Sequence, residues 1–464
     1  MVVEQYYTKC LAQGTYYISS NGEAAVIDPL REVQQYVDRA KESGDVIKYV
    51  FLTHFHADYV SGHVDLAHKT GATIVIGPNA VTSYAFAKAE HLQTFFIGEI
   101  TLQLLHTPGH TMESSCYLLR DGSGKAEAIF TGDTLFIGDV GRPDLAVKSD
   151  LTVDDLAGHL YDSLHQVIMP LPDDITVYPA HGAGSACGKN MSSETSDTLG
   201  NQKKTNYALQ TDLSRADFIK EVTTGIAPPP SYFPKNVWMN KGVNSSIDEV
   251  LGRGNSPLNV DSFQALASDD EFLVLDVRTP QEYTAGSVPS SWFIGLDGQF
   301  APWVGSLIED IDQKIILVAP LGREEEAVTR LARVGYDNCH GYLDGGFETW
   351  VKAGFEVQTI ENISAQELID QLEAGTIENL LDVRKPGEYA ASHIEGATLI
   401  PLDHFHSRLT ELNKDKVYHI HCAGGYRSVI FASIAMSKGL NKMTNVQGGY
   451  GAIKKTARTT IKLT

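Results

Sequence analysis

The chain has 464 residues, enough for about three domains that each bury a core of their own. Its 37 Lys and Arg against 58 Asp and Glu give a formal net charge of −21, which argues against nucleic acid or an anionic membrane surface as a partner. Hydrophobic residues make up 42%, no apolar run approaches the ~20 residues of a membrane helix, and the five cysteines are too scattered for a disulfide framework, so we predict a soluble cytoplasmic protein.

The first domain is predicted to span residues 1–245, with many short strands and helical stretches between some of them. The predicted strands are 24–27, 48–53, 128–130 and 176–178, and a helix is predicted over 33–41.

Histidine and aspartate side chains follow strand-like runs or lie in tight turns at four places in this domain. The motifs are Thr53-His54-Phe-His56-Ala-Asp58, Thr107-Pro-Gly-His110, Thr131-Gly-Asp133 and Tyr178-Pro-Ala-His181. Strand ends hold side chains rigidly and loops leave one face open, which suits a metal ion. The motifs therefore predict a metal site.

In this order the motifs resemble those of the metallo-β-lactamase superfold, and the resemblance implies a four-layer αββα sandwich in the first half of the chain. One residue departs from the pattern. Zinc hydrolases of this fold commonly have a histidine directly after the aspartate that matches Asp58, where this chain has Tyr59, and the departure disfavours a dinuclear zinc site. Persulfide dioxygenases of this fold bind one ferrous iron at positions that match His54, His110 and Asp133, and the resemblance implies the same ligands here.

Coordination chemistry agrees with that ligand set. Two histidines and one carboxylate leave three positions of an octahedral ion open, where a thiolate sulfur and O₂ could bind side by side. We therefore predict one Fe(II) per chain, with Zn as the alternative, since zinc favours three or four protein ligands and activates water. His56, Asp58 and His181 are then expected to orient ligands or accept protons, and the alternative is that these three are zinc ligands.

Two further residues are candidates for substrate contact. Arg142 lies in a run after Asp133 that resembles the same dioxygenases, and it could hold the carboxylate of a thiol cofactor; a structural contact with Asp144 is the alternative. Cys187 follows His181 in a glycine-containing loop and is a candidate redox or substrate-contacting thiol, although a buried, inert cysteine is the commoner case.

The last two hundred residues contain a repeat. Leu275-Asp-Val-Arg-Thr-Pro-Gln-Glu-Tyr283 reappears 106 residues later as Leu381-Asp-Val-Arg-Lys-Pro-Gly-Glu-Tyr389, and Leu343-Asp-Gly-Gly-Phe347 reappears 103 residues later as Val446-Gln-Gly-Gly-Tyr450. Two markers in the same order at nearly equal spacing indicate two copies of one domain, 246–360 and 361–464. Strand-like and helical stretches alternate in each copy, which predicts a central parallel sheet with helices on its faces and an α/β multidomain chain.

Of the two copies, the second carries a candidate nucleophile. Its segment His421-Cys422-Ala-Gly424-Gly425-Tyr-Arg427-Ser428 lies between a predicted strand and a helix predicted over 429–438. Such a loop aims backbone N–H groups at one point, and with the helix dipole and Arg427 it would stabilise the Cys422 thiolate. We predict Cys422 and Arg427 as catalytic, with Gly424, Gly425 and Ser428 binding the sulfur substrate.

The spacing Cys-x4-Arg-Ser with an upstream Asp-Val-Arg resembles the rhodanese family, whose cysteine carries a sulfane sulfur; a phosphatase loop would need one more residue. In the first copy the matching positions hold Ala319 and Glu324, and two more glutamates follow. The first copy is therefore predicted to keep the rhodanese fold without its chemistry, and to space or dock the active domains.

The whole arrangement resembles bacterial fusions of a persulfide dioxygenase with rhodanese domains. The resemblance implies that a low-molecular-weight persulfide, of the glutathione, coenzyme A or bacillithiol type, is oxidised by O₂ to sulfite, and that sulfur transfer through Cys422 then gives thiosulfate. One alternative is a zinc-dependent thioesterase of the glyoxalase II type joined to a sulfurtransferase. Another is a non-catalytic persulfide carrier or docking protein. A homo-oligomer is expected, since dimers are the commonest assembly.

Overall fold

The computed structural model describes residues 1–147, 150–226, 228–242 and 244–456. The chain divides into two compact units, of which the first comprises 1–247 with 332–335 and the second comprises 248–331 with 336–464. The second unit contains both repeat copies, so the boundary predicted between them at 360 remains a prediction. Residues 457–464, the end of the predicted third domain, lie outside the described residues.

Short strands form most of the first unit. The strands are β1 (Val2–Thr8), β2 (Gln13–Ser20), β3 (Glu23–Ile27), β4 (Val46–Phe51), β5 (Thr73–Ile76), β6 (Ala87–Lys88), β7 (Thr94–Ile97), β8 (Ile100–His106), β9 (Ser115–Arg120), β10 (Ala126–Gly132), β11 (Thr176–Pro179) and β12 (Asp197–Thr198). The helices are α1 (Gln34–Ser43), α2 (His63–Thr70), α3 (Val153–Asp162), extended by a π-helical turn Ser163–Ile168, α4 (Leu199–Thr205), α5 (Arg215–Thr223) and α6 (Phe233–Lys241), with a 3-10 turn Tyr207–Leu209 after α4.

These strands form two six-stranded sheets among the described residues, in the orders β1-β2-β3-β4-β5-β6 and β12-β11-β10-β9-β8-β7. Alternate side chains of a strand face opposite sides, so each sheet buries one face against the other sheet and one against helices. Phe51 and Val75 of the first sheet pack against Phe130 of the second, whereas α1 and α2 cover the outer face of the first sheet, and α3 and α5 that of the second. The predicted αββα sandwich is confirmed.

The second unit alternates strands with helices. The elements of its first half are α7 (Ile247–Gly254), β13 (Pro257–Leu258), α8 (Val260–Ala267), β14 (Phe272–Asp276), α9 (Pro280–Ala285), β15 (Trp292–Phe293), α10 (Phe300–Leu307), β16 (Lys314–Val318), α11 (Glu324–Arg333), β17 (Cys339–Leu343) and α12 (Phe347–Lys352). The second half contains β18 (Glu361–Ile363), α13 (Ala365–Glu373), β19 (Leu380–Asp382), α14 (Pro386–Ala391), β20 (Thr398–Leu399), α15 (Phe405–Arg408) between 3-10 turns Leu402–His404 and Leu409–Glu411, β21 (Tyr418–His421), α16 (Tyr426–Ser437), β22 (Met443–Val446) and α17 (Gly449–Thr456).

Both halves of the second unit have the same sheet. The strand orders are β13-β17-β16-β14-β15 and β18-β22-β21-β19-β20, and every pairing in the two sheets is parallel. The repeated Asp-Val-Arg motif makes the same buried ion pair in each copy, with Arg278 Nη2 2.6 Å from Asp276 Oδ2 and Arg384 Nη2 2.6 Å from Asp382 Oδ2. The duplicated parallel α/β fold is therefore confirmed.

The helix after Cys422 begins earlier than predicted, at Tyr426 rather than at residue 429. Gly425 is its N-cap and has a φ of 99°, a left-handed conformation that glycine adopts without strain. The early start places Arg427 and Ser428 in the first turn. Within the part of the chain that is described, no helix is both long enough and apolar enough to span a bilayer.

Candidate functional site

The candidate metal ligands of the first unit come from strand ends that meet at one edge of the sandwich. Parallel β3 and β4 end at the same edge, and His54 lies three residues beyond the end of β4. Parallel β10 and β11 likewise end at one edge of the other sheet. Asp133 directly follows β10, and His181 lies two residues beyond β11. His110 lies in the connection between β8 and β9. The topology thus gathers residues that are distant in sequence.

The structure brings together the three predicted metal ligands. One ligand atom from each of His54, His110 and Asp133 lies within 4.8 Å of the others, and all three residues are buried. Asp133 Oδ2 is 3.8 Å from His54 Nε2 and 3.4 Å from His110 Nε2. Neither carboxylate oxygen of Asp133 has a hydrogen-bond partner among the described residues, and a buried carboxylate in that state is costly. The donor set therefore fits a cation.

Hydrogen bonds fix how two of these histidines face the cluster. His54 Nδ1 lies 2.9 Å from Thr53 Oγ1, whose hydroxyl donates to Asp28 Oδ2 at 2.7 Å, so Nδ1 carries the proton and Nε2 is left for a metal. His110 Nδ1 donates to the carbonyl of Arg142 at 2.8 Å, with the same result. The sequence motifs did not identify Thr53 and Asp28 as participants, although Thr53 ends one predicted strand and Asp28 directly follows another.

A second triad adjoins the first. Ligand atoms of His56, Asp58 and His181 lie within 4.8 Å of one another. His181 Nε2 is 3.5 Å from Asp58 Oδ2 and 3.6 Å from Asp133 Oδ1, so the Asp133 carboxylate lies between the two triads. Both interpretations from the sequence remain predictions: these residues orient ligands and accept protons, or they hold zinc.

The Tyr59 hydroxyl makes hydrogen bonds within the protein and is not available as a metal ligand. Its hydroxyl donates to the carbonyl of Asp28 at 3.2 Å and accepts from Gln13 Nε2 at 3.3 Å. Burial, reinforced by the nearby carboxylates, raises the pKa of this phenol well above its usual value, so it stays neutral. The second triad therefore gains no ligand at the position where zinc hydrolases of this fold commonly have histidine.

Burial sets the protonation of the cluster. It holds the pKa of His54 well below its ordinary value, and the neighbouring histidines add to the effect, so the imidazole is neutral as a ligand must be. For His56, burial alone would lower the pKa, but the nearby carboxylates together outweigh burial and the pKa is raised. The largest of their contributions comes from Asp28, whose Oδ1 lies 3.1 Å from His56 Nε2. Burial also raises the pKa of Asp58.

Arg142 and Cys187 both adjoin the cluster. The Arg142 guanidinium makes a bidentate pair with Asp144, at 2.6 and 2.7 Å, which is the structural contact considered above. Its binding of a substrate carboxylate stays a prediction. Cys187 Sγ lies within 4.8 Å of ligand atoms of Asp133 and His181. Burial, with the charges of nearby carboxylates, raises the pKa of this thiol well above its usual value.

In the second unit, the loop 422–425 is closed around the sulfur of Cys422. The Gly425 N–H donates to Cys422 Sγ at 3.1 Å, and Ser428 Oγ lies 3.6 Å from the same sulfur. Ser428 in turn donates to Asn445 Oδ1 at 2.7 Å, an interaction that the sequence motif does not include. Cys422 is 1% exposed, and Gly424 lies at the centre of the bend over residues 423–425. This arrangement is suited to holding a sulfur anion.

Arg427 is held by a residue of the repeat motif rather than by the loop alone. Its guanidinium makes a bidentate pair with Glu388, at 2.7 and 2.8 Å. Hydrogen bonding from Arg427 lowers the pKa of Glu388 to about 2. Glu388 therefore stays ionised and fixes the arginine beside the Cys422 loop.

We expect the Glu388→Gln substitution to loosen this loop in a pH-dependent way. Because the folded-state pKa is depressed, the pair stabilises the fold fully above the unfolded pKa near 4.5 and loses that effect as the pH falls toward 2. At pH 7 the loop amides of the variant should exchange hydrogen about fivefold faster than wild type, a modest effect because the pair is partly exposed. The difference should shrink between pH 5 and pH 2.

Hydrogen exchange read by mass spectrometry over peptides containing residues 422–428 measures this effect. Glu378→Gln, which changes an exposed glutamate of the same copy, is the matched control. Equal exchange in wild type and Glu388→Gln at pH 7 would show that the pair does not hold the loop.

The first copy lacks a nucleophile at the corresponding place. Ala319 directly follows β16 as Cys422 follows β21, and α11 begins at Glu324. Arg323, just before that helix, pairs with Asp297 and Glu326, so part of the local negative charge is neutralised. The first copy therefore has alanine where the second copy has its candidate nucleophile.

Two protein-family profiles match the chain: the metallo-beta-lactamase superfamily over residues 9–181, and the rhodanese-like domain over residues 259–353 and 364–456. A probable hydroxyacylglutathione hydrolase of Schizosaccharomyces pombe is 31% identical over 161 residues, which are 34% of this chain and 58% of that protein. A probable polyketide biosynthesis zinc-dependent hydrolase of Bacillus subtilis is 30% identical over 173 residues, 36% of this chain and 71% of that protein. The chain thus spans somewhat more than half the length of the fission-yeast relative.

A solved structure extends the similarity beyond the first unit. A metallo-beta-lactamase from Staphylococcus aureus is 30% identical, with a TM-score of 0.65, and the match covers 74% of this chain and 98% of that chain. The domain order inferred from the sequence is confirmed by these matches. The chain belongs to the metallo-β-lactamase superfamily, and two rhodanese-like domains follow its metallo-β-lactamase domain.

Proposed function

We propose that the first domain is a mononuclear non-haem iron dioxygenase of low-molecular-weight persulfides, and that the last domain transfers sulfane sulfur. The first reaction converts RSSH, O₂ and H₂O into RSH, sulfite and two protons. The observation that carries the proposal is that one chain contains both a buried two-histidine, one-carboxylate triad and a loop closed around a cysteine sulfur. Either feature alone would suit a wider range of reactions.

His54, His110 and Asp133 would hold the ion. Fe(II) bound there would supply open positions for a persulfide sulfur and for O₂. The chain contributes the rest: Thr53 and the Arg142 carbonyl orient the two imidazoles, and burial keeps bulk water from the cluster. His181 Nε2 and Asp58 Oδ1 would accept the two protons that the reaction releases, and this role is supported by their lack of hydrogen-bond partners among the described residues.

Cys422 performs the second reaction. Sulfite attacks the outer sulfur of the Cys422 persulfide, the S–S bond breaks, and the electron pair returns to the Cys422 sulfur, which leaves thiosulfate and a proton. The Gly425 N–H aimed at Sγ stabilises that leaving thiolate. Carrying both domains on one chain raises the effective concentration of sulfite near Cys422.

A zinc thioesterase is the second candidate for the first domain. It is supported by the His56, Asp58 and His181 triad, which could hold a second ion, and by relatives named as hydroxyacylglutathione hydrolase and zinc-dependent hydrolase. The hydrogen bonding of Tyr59 counts against it, because that side chain supplies no ligand.

Metal content and oxygen uptake separate the two candidates. We expect the full chain purified without oxygen to contain one iron ion and to consume about one O₂ per glutathione persulfide oxidised, measured by metal analysis and an oxygen electrode. A glutathione thioester supplied to the same preparation should not be hydrolysed. Two zinc ions per chain with thioester hydrolysis and no oxygen uptake would overturn the proposal in favour of the hydrolase.

A further inference from the structure

A cavity of about 580 Å³ lies inside the second unit, beside the loop that follows Cys422. Its wall is built by both repeat copies: the second copy contributes Asn362 and residues in 424–426 and 445–448, and the first contributes residues in 278–284 and 295–299. The volume falls within the range of ~300–1,000 Å³ that is typical of small-molecule sites.

The first copy packs against the helix that follows the Cys422 loop. The Tyr426 hydroxyl donates to the carbonyl of Gly295 at 2.7 Å, and the tyrosine ring lies over Gly298. A Cβ atom at Gly298 would be 2.1 Å from that ring, so a side chain there would displace it. Ser433 of the same helix accepts a hydrogen bond from the Phe293 N–H. The first copy, which has Ala319 at the position that matches Cys422, therefore fixes the helix whose first turn holds Arg427.

The cavity is lined by a residue that contacts the reactive sulfur directly. Gly425 lines the cavity and also donates its N–H to Cys422 Sγ at 3.1 Å. Asn445 lines it as well and accepts the hydroxyl of Ser428, which lies 3.6 Å from the sulfur. A molecule occupying the cavity would thus have its reactive end close to Cys422.

Amides dominate the polar lining. Gln281, Gln299 and Gln447 line the cavity, and a side-chain amide offers both donors and an acceptor, as a peptide group requires. Arg278, the cation among the described lining residues, is committed to Asp276 at 2.6 Å. An inorganic dianion such as thiosulfate would find no uncommitted cation among these described residues.

We propose that this cavity binds the amide-bearing part of a low-molecular-weight thiol persulfide, and that the first copy therefore forms half of the substrate site of Cys422. The inference rests on the sulfur-transfer part of the proposed function. In the loading step the Cys422 thiolate attacks the outer sulfur of RSSH, the S–S bond breaks, and RS⁻ leaves with the electron pair. The proton remains on the transferred sulfur.

Loading of Cys422 in the full chain tests the inference, under anaerobic conditions so that the first domain consumes no substrate. Glutathione persulfide and thiosulfate are supplied separately, and mass spectrometry follows the gain of one sulfur atom. We expect Gln281→Ala/Gln299→Ala to lower the ratio of the two loading rates, persulfide over thiosulfate, about tenfold through the loss of one or two hydrogen bonds. Gln264→Ala, which changes a partly exposed glutamine of the first copy outside the cavity, should keep the wild-type ratio.

The outcomes distinguish this inference from the function on which it rests. An unchanged ratio in the double variant, or wild-type loading from thiosulfate in preference to glutathione persulfide, would overturn the inference and leave Cys422 a sulfurtransferase. Failure of wild-type Cys422 to load from either donor would overturn the sulfur-transfer proposal itself.

Discussion

Replacing Cys422 with serine is expected to lower thiosulfate formation by at least ~10³-fold while oxygen uptake continues and sulfite accumulates. The hydroxyl of serine is a weak nucleophile and cannot form a persulfide, whereas the metal cluster of the first unit contains no part of the Cys422 loop. Parallel assays of oxygen, sulfite and thiosulfate on glutathione persulfide check this outcome. It would show that the two reactions are carried by different domains.

Cys339→Ser is the matched control, since Cys339 is a buried cysteine of the first copy in strand β17. It should keep both products near wild-type proportions. If Cys422→Ser, with an intact fold by circular dichroism, loses oxygen uptake as well, the division of the two reactions between the domains is wrong.

Replacing Asp133 with asparagine is expected to weaken iron binding by more than ~100-fold, because changes in the outer hydrogen-bond partners of metal ligands alone cost 10–100-fold. The carboxylate is the anionic ligand of the His54, His110 and Asp133 triad, and each of its oxygens also faces a histidine. Metal analysis after dialysis should find the variant nearly iron-free, and persulfide-dependent oxygen uptake should disappear.

Asp174→Asn, at an exposed aspartate of the same unit, is the matched control and should retain iron and oxygen uptake. Anaerobic loading of Cys422 should be normal in Asp133→Asn, since the second unit is unchanged. Stoichiometric iron in Asp133→Asn would show that the ion is held elsewhere, for instance by the second triad.

Much of the fold could be predicted because each unit contains short motifs in a fixed order. The Leu-Asp-Val-Arg repeat predicted two copies of one domain, and the alternation of strands and helices predicted its parallel sheet. In the structure the repeated aspartate and arginine form the same buried pair in both copies. The histidines and aspartates at strand ends and in turns predicted one metal site, and in the structure parallel strands bring several of these ends to a common edge. In both cases the local sequence and the tertiary arrangement impose the same constraint.

The rest depends on contacts between residues far apart in the chain. Nothing near Arg427 indicates that Glu388, 39 positions earlier, would hold its guanidinium. Tyr426 of the second copy packs against Gly298 of the first copy, and neither copy's sequence motif indicates this contact. The helix start was missed by three residues because the pattern of apolar residues begins later than the backbone turn at Gly425.

The position of Asp133 between the two triads has a consequence for folding. Without a cation, the fold must enclose a carboxylate whose oxygens face imidazoles rather than hydrogen-bond donors, and that enclosure opposes closure of the strand-end loops. An ion bound in the folded state and not in the unfolded chain shifts the equilibrium toward the native sandwich by mass action. Metal supply and the conformational stability of the first unit are therefore thermodynamically linked, whatever reaction the ion supports.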